Sequence, residues 1–450
     1  MKKILSISLF LLIWLFPQGV LAADLITYPE SEGIMVMETT SGDVLLDQNE
    51  DQTYYPASTT KLMTALVAMD YVKDQLDQTI TVGHEIDEIG FESSTASLEV
   101  GEDYTWEEIF YAMLLPSGND AADVIAVNIG RIAENDPNLT EEAAKAEFVN
   151  LMNAKAETLK LTHTHFVNPH GLHDDDHYTT PEDLASIAKV VLENDFLKTV
   201  VQTPVYEMTI ANTGEQQKWE NTNLLFYSEV EAYTYDTTLE NDAAGQSPYY
   251  NAYANGVKTG YTEEAGHCLV FSAQKDDMTL LGVIMKADTT ADMYTQANNT
   301  INQIFENYSL KQITDENNAL DAESLSRVHR GENNLIKPYT KEPLAVMQAN
   351  SDSTTISTTI HWNEDYINFD EGKAIVIQSI PKDAQIGTVV VSSDDQTLKE
   401  VAIYVDQAVD PWQWDDYLLT FWYIWTIVLG IILLAIMLSI HRRKNRIGVR

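Results

Sequence analysis

Two periodicities, one of two residues and one of three to four, divide this chain between strands and helices. GIMVMETTSGDVLLDQN at 33–49 sets two apolar runs on either side of a Thr-Ser-Gly-Asp turn, which predicts a β-hairpin. Behind Pro56, Leu62, Leu66 and Met69 recur at helical spacing with Ala65 between them and predict an amphipathic helix. Thr105-Trp106-Glu107-Glu108 reads as a capping box, and IFYAMLL at 109–115 continues it as a buried helix that Pro116 ends. A further helix runs from Asp120 through Ala121, Ile125 and Ile129. GVKTGYT at 256–262, HCLVFSA at 267–273 and MTLLGVIM at 278–285 then predict a meander of antiparallel strands.

The hairpin and the meander would form one antiparallel sheet, with the helical pieces between about 59 and 200 packed on it, an α+β layered domain over residues 24–308. Residues 309–340 are polar with few apolar clusters and read as a linker. Beyond them, alternation in TTISTTIHW, GKAIVIQSI, GTVVVSS and EVAIYV predicts a small all-β domain at 341–410.

The two ends of the chain have a different pattern. Lys2 and Lys3, the apolar run Ile4 to Phe16 and small residues around Ala22 and Ala23 predict a signal peptide over 1–23. Residues 417–440 are uncharged and mostly apolar, long enough to span a bilayer as one transmembrane helix. Trp412, Trp414, Trp422, Tyr423 and Trp425 crowd one end like an interfacial belt, and the basic tail 441–450 follows the other. The positive-inside rule then places the tail in the cytoplasm and residues 24–416 outside the cell membrane.

Charge sharpens this picture. The chain carries 27 Lys plus Arg against 69 Asp plus Glu, and seven of the basic residues lie in the signal peptide and the tail. So acidic an ectodomain excludes nucleic acid as a partner and excludes docking on anionic lipid by charge. Cys268 is the single cysteine, so no intramolecular disulfide is possible; in its apolar strand it reads as a small buried hydrophobe.

Three short motifs carry the chemistry. In PASTTKLMT at 56–64, Ser58 and Lys61 form a Ser-x-x-Lys at a helix start, where the exposed N–H groups favour a developing alkoxide and Lys61 lies on the same face. A serine hydroxyl needs a base within reach. Lys61 serves if burial or a neighbouring cation such as Lys258 depresses its pKa. Ser117-Gly118-Asn119 forms a loop between two buried helices: Ser117 is placed to pass a proton to a leaving amine, and the Asn119 amide to hold a peptide group. Lys258-Thr259-Gly260 on a strand edge offers an ammonium, a hydroxyl and an unhindered backbone to an extended peptide ending in a carboxylate. Each alone is weak evidence, since a Ser-x-x-Lys occurs about once by chance in a chain this long.

Together, and in this order with LLPSGNDAA at 114–122, NPHGLHDDDHYTTPEDLA at 168–185 and NTNLL at 221–225, the motifs resemble the low-molecular-weight penicillin-binding proteins of the D-alanyl-D-alanine carboxypeptidase family. The resemblance spans roughly 30–310 and extends faintly to about 410, where IPKDAQIGTVVV is similar to the family's C-terminal domain. It implies a penicillin-binding, β-lactamase-like fold and a serine enzyme that removes the terminal D-alanine from peptidoglycan stem pentapeptides through an acyl-enzyme on Ser58. Lys61 would be the base, Ser117 the proton donor, and Lys258 and Thr259 the carboxylate site. The backbone N–H groups of Ser58 and Tyr261 would form the oxyanion hole. β-Lactams would acylate the same serine, and no cofactor is implied.

Three features depart from the family pattern. Tyr261 stands where some relatives carry histidine, an acidic, Tyr-rich insertion occupies 226–252, and 286–300 lacks an expected arginine. His163, His165, His170, His173 and His177 with Asp174 to Asp176 suggest a metal. The turn at Asn168 to Leu172 and the helix start at Thr180-Pro181 argue instead that no metal is bound. A D,D-endopeptidase that cuts crosslinks shares the chemistry; a membrane-anchored β-lactamase should carry Ser-Asp-Asn and a glutamate-bearing loop, and a non-catalytic scaffold should have lost Ser58 or Lys61.

Overall fold

The computed structural model describes residues 28–90, 93–226, 247–315, 317–370, 372–394 and 396–447. The signal peptide, most of the 226–252 insertion and the last residues of the tail lie outside them. The described residues divide into two units, 28–310 with 347–351, and 311–346 with 352 onward.

The first unit is built on a five-stranded antiparallel sheet in the order Val44–Gln48, Gly33–Glu38, Met278–Ala287, Gly266–Lys275, Ala254–Thr262. The hairpin and the meander therefore join as expected, with the Lys-Thr-Gly strand at one edge. Period-two alternation sends successive residues to opposite faces. Met35, Val270, Leu281 and Val283 pack on one face with the helices α1 (Lys61–Val72), α2 (Trp106–Leu114), α3 (Asn119–Ala133), α4 (Glu141–Thr158), α5 (Pro181–Glu193) and α6 (Asp195–Val201). Ile34, Val36, Leu269, Phe271 and Ile284 pack on the other, under Tyr294, Ile301 and Ile304 of α7 (Thr290–Asn307). The sheet is thus covered on both sides, and α7 supplies a layer beyond the helices expected between 59 and 200.

Helix α1 corrects the expectation of amphipathicity: Leu62, Met63, Ala65, Leu66, Val67 and Ala68 are all buried, because α1 runs through the middle of the helical layer against α2, α3, α4 and α5. A helix surrounded on all sides is apolar all round. Its first residue, Lys61, is buried with the rest. The capping box at α2 is present as read: Thr105 Oγ1 accepts from Glu108 N–H at 3.2 Å, and Glu108 Oε2 from Thr105 N–H at 2.7 Å.

In the second unit, a sheet of Ile356–Trp362, Gln385–Ser393 and Gln396–Tyr404 buries Val389, Val391 and Ile403. Leu320, Leu325 and Ile336 complete that core, so 311–340 belong to this unit and not to a linker. Sparse, isolated apolar residues hid this, since three well-placed anchors leave no periodic signal. The last described helix, Trp422–Ile447, includes a 20-residue stretch at Trp422–His441 long and apolar enough to cross a membrane, none of it buried. Residues 417–420, expected in the span, belong to a separate short helix, Trp414–Thr420.

Candidate active site

Ser58 lies in a single 3₁₀ turn, Ala57–Thr60, that leads directly into α1. The residue before it, Ala57, has φ +47°, and Ser117 has φ +64°. Left-handed backbone at non-glycine residues costs on the order of 1 kcal/mol each, and the surrounding packing must hold it. Gly171 contributes to that packing: with φ +88°, a Cβ there would lie 1.8 Å from the Ala57 carbonyl oxygen, so only glycine lets the 168–172 loop sit on the turn.

Lys61 is the hub. Its Nζ lies 3.0 Å from Ser58 Oγ, 2.6 Å from Asn119 Oδ1, 3.1 Å from the His170 carbonyl oxygen and 3.5 Å from Ser117 Oγ. Burial, then the charge of Lys258, holds its pKa well below that of an ordinary lysine, against the opposing pull of Asp120 and Asp123. A neutral amine has two N–H bonds and one lone pair. In that form, Asn119 Oδ1 and the His170 carbonyl would accept the two hydrogens and leave the lone pair for the Ser58 hydroxyl. That is the geometry of a general base.

Lys258 is also fully buried, and burial pushes its pKa down to about 7. Its Nζ donates to the Thr259 carbonyl at 3.0 Å, and among the described residues no carboxylate pairs with it. Next to it, the Thr259 and Thr222 hydroxyls are 2.6 Å apart. Gly260 brings the edge strand against the nucleophile's turn: a Cβ would meet Pro56 O at 3.0 Å, Ser58 N at 3.0 Å and Thr59 N at 3.1 Å. Tyr261 projects its side chain into solvent beside His267, with ring centroids 4.5 Å apart. The fold therefore brings Ser58, Lys61, Ser117, Asn119, Lys258, Thr259, Gly260 and Tyr261 to one edge of the sheet.

Several supporting residues carried no role in the sequence. Asp120 accepts from the N–H groups of Ala96, Leu98 and Ala121 and so ties the 96–98 segment to the start of α3. Asn119 Nδ2 donates to Ser93 Oγ at 3.0 Å. Asn223 Nδ2 donates to Gly256 O, and Thr222 N–H to Leu115 O, joining the Asn-Thr-Asn segment to both the edge strand and the end of α2. The LLPSGNDAA and NTNLL stretches were the only signals. Asn119, read as part of a loop, is the first residue of α3.

The histidines do different things. His177, buried and pushed down to about 4, faces Thr60 Oγ1 at 2.8 Å, His165 Nδ1 faces the Asp176 carbonyl, and His173 packs edge-on to Tyr55. Among the described residues, the group close enough to share an ion is His329, Asp415 and Asp416, which includes none of them. Cys268 is fully buried, and burial pushes its thiol up to about 11, which suits a core hydrophobe and not a nucleophile.

A buried lysine poised on a serine, beside a second buried lysine on a sheet edge, defines a serine acyltransferase. Residues 27–247 and 230–289 match the family described as D-alanyl-D-alanine carboxypeptidase, and 308–411 match the penicillin-binding protein 5 C-terminal domain. The chain belongs to the D-alanyl-D-alanine carboxypeptidase family, the low-molecular-weight penicillin-binding proteins. It is 27% identical to the carboxypeptidase DacF of Bacillus subtilis, over 82% of this chain and 84% of that protein. With the carboxypeptidase of Streptomyces sp. strain K15 it shares 30% identity over 64% of this chain and 92% of the relative. The crystal structure of the Streptomyces K15 DD-transpeptidase superposes with a TM-score of 0.53 at 29% identity, covering 62% of this chain and all of that one. Penicillin-binding protein 5 from Haemophilus influenzae, at 21% identity, shares the fold over 86% of this chain and all of its own, with a TM-score of 0.65.

Proposed function

We propose that this serine-type carboxypeptidase uses Ser58 to attack the carbonyl between the last two D-alanines of a stem pentapeptide. The observation that carries this is the 3.0 Å contact between Ser58 Oγ and Nζ of the fully buried Lys61, whose pKa burial and then the charge of Lys258 hold well below that of an ordinary lysine. Lys61 takes the hydroxyl proton as the O–C bond forms. The tetrahedral oxyanion is held by the N–H groups of Ser58 and Tyr261, donors that Gly260 keeps close together. Ser117 protonates the nitrogen as the C–N bond breaks and D-alanine leaves, and takes the proton held by Lys61, 3.5 Å away, so that the lysine is neutral again. Water then attacks the acyl-enzyme, giving its proton back through Lys61 to Ser58, and the tetrapeptide departs. Lys258 and Thr259 receive the terminal carboxylate, the charge a buried cation without a carboxylate partner lacks. Asn119 aligns the substrate's peptide group. A β-lactam, with the same carboxylate and a strained amide, acylates Ser58.

The apolar helix after Trp422 anchors the chain in the cell membrane, with the catalytic unit on the extracytoplasmic side and the basic tail in the cytoplasm. The charge asymmetry of its flanks supports this reading. The test is mass spectrometry of the detergent-solubilised chain with a stem pentapeptide and, separately, with benzylpenicillin. Release of one D-alanine and a penicilloyl adduct, both abolished in Ser58→Ala, are expected; an adduct without pentapeptide turnover would overturn the carboxypeptidase assignment.

A further inference from the structure

A cavity of about 530 Å³ opens beside the catalytic lysine, lined by Glu88, Asn119, Asp123, Lys145, Asn150 and His170 among others. It shares two walls with the reaction centre, since Asn119 and the His170 carbonyl both hold Lys61 Nζ.

The most unusual group in it is Asp123. The residue is 4% exposed, its Oδ2 accepts from Lys145 Nζ at 2.7 Å, and its Oδ1 is buried with no hydrogen-bond partner among the described residues. His170 does not supply one. Its Nε2 is 3.9 Å away, and burial pushes the imidazole down to about 3, so the ring is neutral. Lys145 is shared as well, with the Glu85 carbonyl at 3.2 Å. A buried carboxylate oxygen left unmatched is costly, and native structures rarely leave one without a reason. With Glu88 exposed nearby, the described lining residues give the cavity two carboxylates against one ammonium, so it favours a cation.

On the functional reading above, on which this rests, we infer that the cavity is a subsite for the primary ammonium of a diamino-acid side chain in the stem, one residue before the D-alanine pair, with Asp123 Oδ1 as its acceptor. A flexible aliphatic stem carries such a charge past Asn119, and the cavity has the size of a small-molecule site. Crosslinks between stems are amides made on a side-chain amine. Acylation removes the charge and a donor, so the subsite distinguishes a free stem from one whose amine is already joined.

The test compares D-alanine release from two pentapeptides, one with lysine at the third position and the other with Nε-acetyl-lysine, using the full chain in detergent. Wild type should favour the free amine in kcat/KM by about tenfold, the factor carried by one charge-assisted hydrogen bond, with the difference in KM. Asp123→Asn should bring the ratio close to one, and Glu88→Gln should narrow it. Because the readout is a ratio within one variant, a general loss of activity cancels. Equal turnover of both peptides by wild type, or an unchanged ratio in Asp123→Asn, would overturn the subsite and leave the carboxypeptidase reading standing. Turnover of neither peptide would overturn both.

Discussion

Replacing Gly260 by alanine tests whether the contact between the edge strand and the nucleophile's turn sets the reaction geometry. The new Cβ would lie 3.0, 3.0 and 3.1 Å from Pro56 O, Ser58 N and Thr59 N. Each contact is about 0.4 Å or more inside ordinary van der Waals separation, and all three atoms belong to backbone that cannot swing aside. Strand and turn must therefore part by roughly that amount. Overpacking of this kind costs about 1–3 kcal/mol of stability. The same retreat separates the N–H of Ser58 from that of Tyr261. If a 1 Å misplacement costs about a hundredfold, a few tenths of an ångström cost on the order of tenfold in acylation. The assay is the second-order rate of benzylpenicillin acylation, with thermal denaturation run in parallel. The two readouts separate the effects, because a variant that is merely less stable still acylates at the wild-type rate well below its melting temperature. An unchanged acylation rate in a folded Gly260→Ala protein would refute the claim that this contact sets the oxyanion geometry.

Four further outcomes follow from the site. Lys61→Ala should retain the fold yet lose acylation by on the order of 10²–10⁴, the contribution of a positioned base, measured by stopped-flow with benzylpenicillin; a loss below tenfold would remove Lys61 from that role. Because the charge of Lys258 helps lower the pKa of Lys61, Lys258→Gln should move the acid limb of the acylation pH profile to higher pH; a limb that stays in place would mean the two ammoniums do not interact. Burial lowers the Lys258 pKa from 10.5 to about 7, so the unfolded chain binds more protons between those values, and the stability of wild type relative to Lys258→Met should rise with pH across that window; a flat difference in urea unfolding would contradict it. Thr222→Val removes the partner of the Thr259 hydroxyl and should raise KM for the pentapeptide a few-fold with kcat nearly unchanged, whereas a fall in kcat alone would place Thr222 elsewhere in the mechanism.

What was legible in the sequence was local, and what was not depended on packing across the chain. Alternation gave the hairpin and meander, and the capping box at Thr105 gave the start of α2, because each is written within a few consecutive residues. The proposed catalytic residues were legible for another reason: Ser58 and Lys61, Ser117 and Asn119, and Lys258 to Gly260 lie in short motifs whose order matches a known family. Amphipathicity of α1 failed because the helix is surrounded, a property of the four helices around it and not of its own spacing. The linker reading failed because Leu320, Leu325 and Ile336 find their partners some fifty or more residues later, at Val389, Val391 and Ile403. His170 was visible as one histidine among five and within the NPHGL stretch, but its contact with Lys61 is made by its carbonyl oxygen, which no side-chain pattern encodes.

On the proposed roles the two lysines make opposite demands on one environment: Lys61 must be neutral to accept a proton, while Lys258 must be charged to receive a carboxylate, and both are fully buried. Burial alone would discharge both. Their repulsion breaks the tie, because charge on Lys258 lowers the pKa of Lys61, which Asn119 and the His170 carbonyl already hold within reach of Ser58. A docking carboxylate then does two things on the proposed roles. It holds Lys258 in its charged form, and by offsetting that charge it relaxes the repulsion felt at Lys61. The base therefore becomes more basic when substrate is present and must take the serine proton, and it is least able to hold a proton when the site is empty. On the proposed roles, placing the carboxylate site and the general base beside each other on one buried edge links recognition of the D-alanine terminus to activation of Ser58.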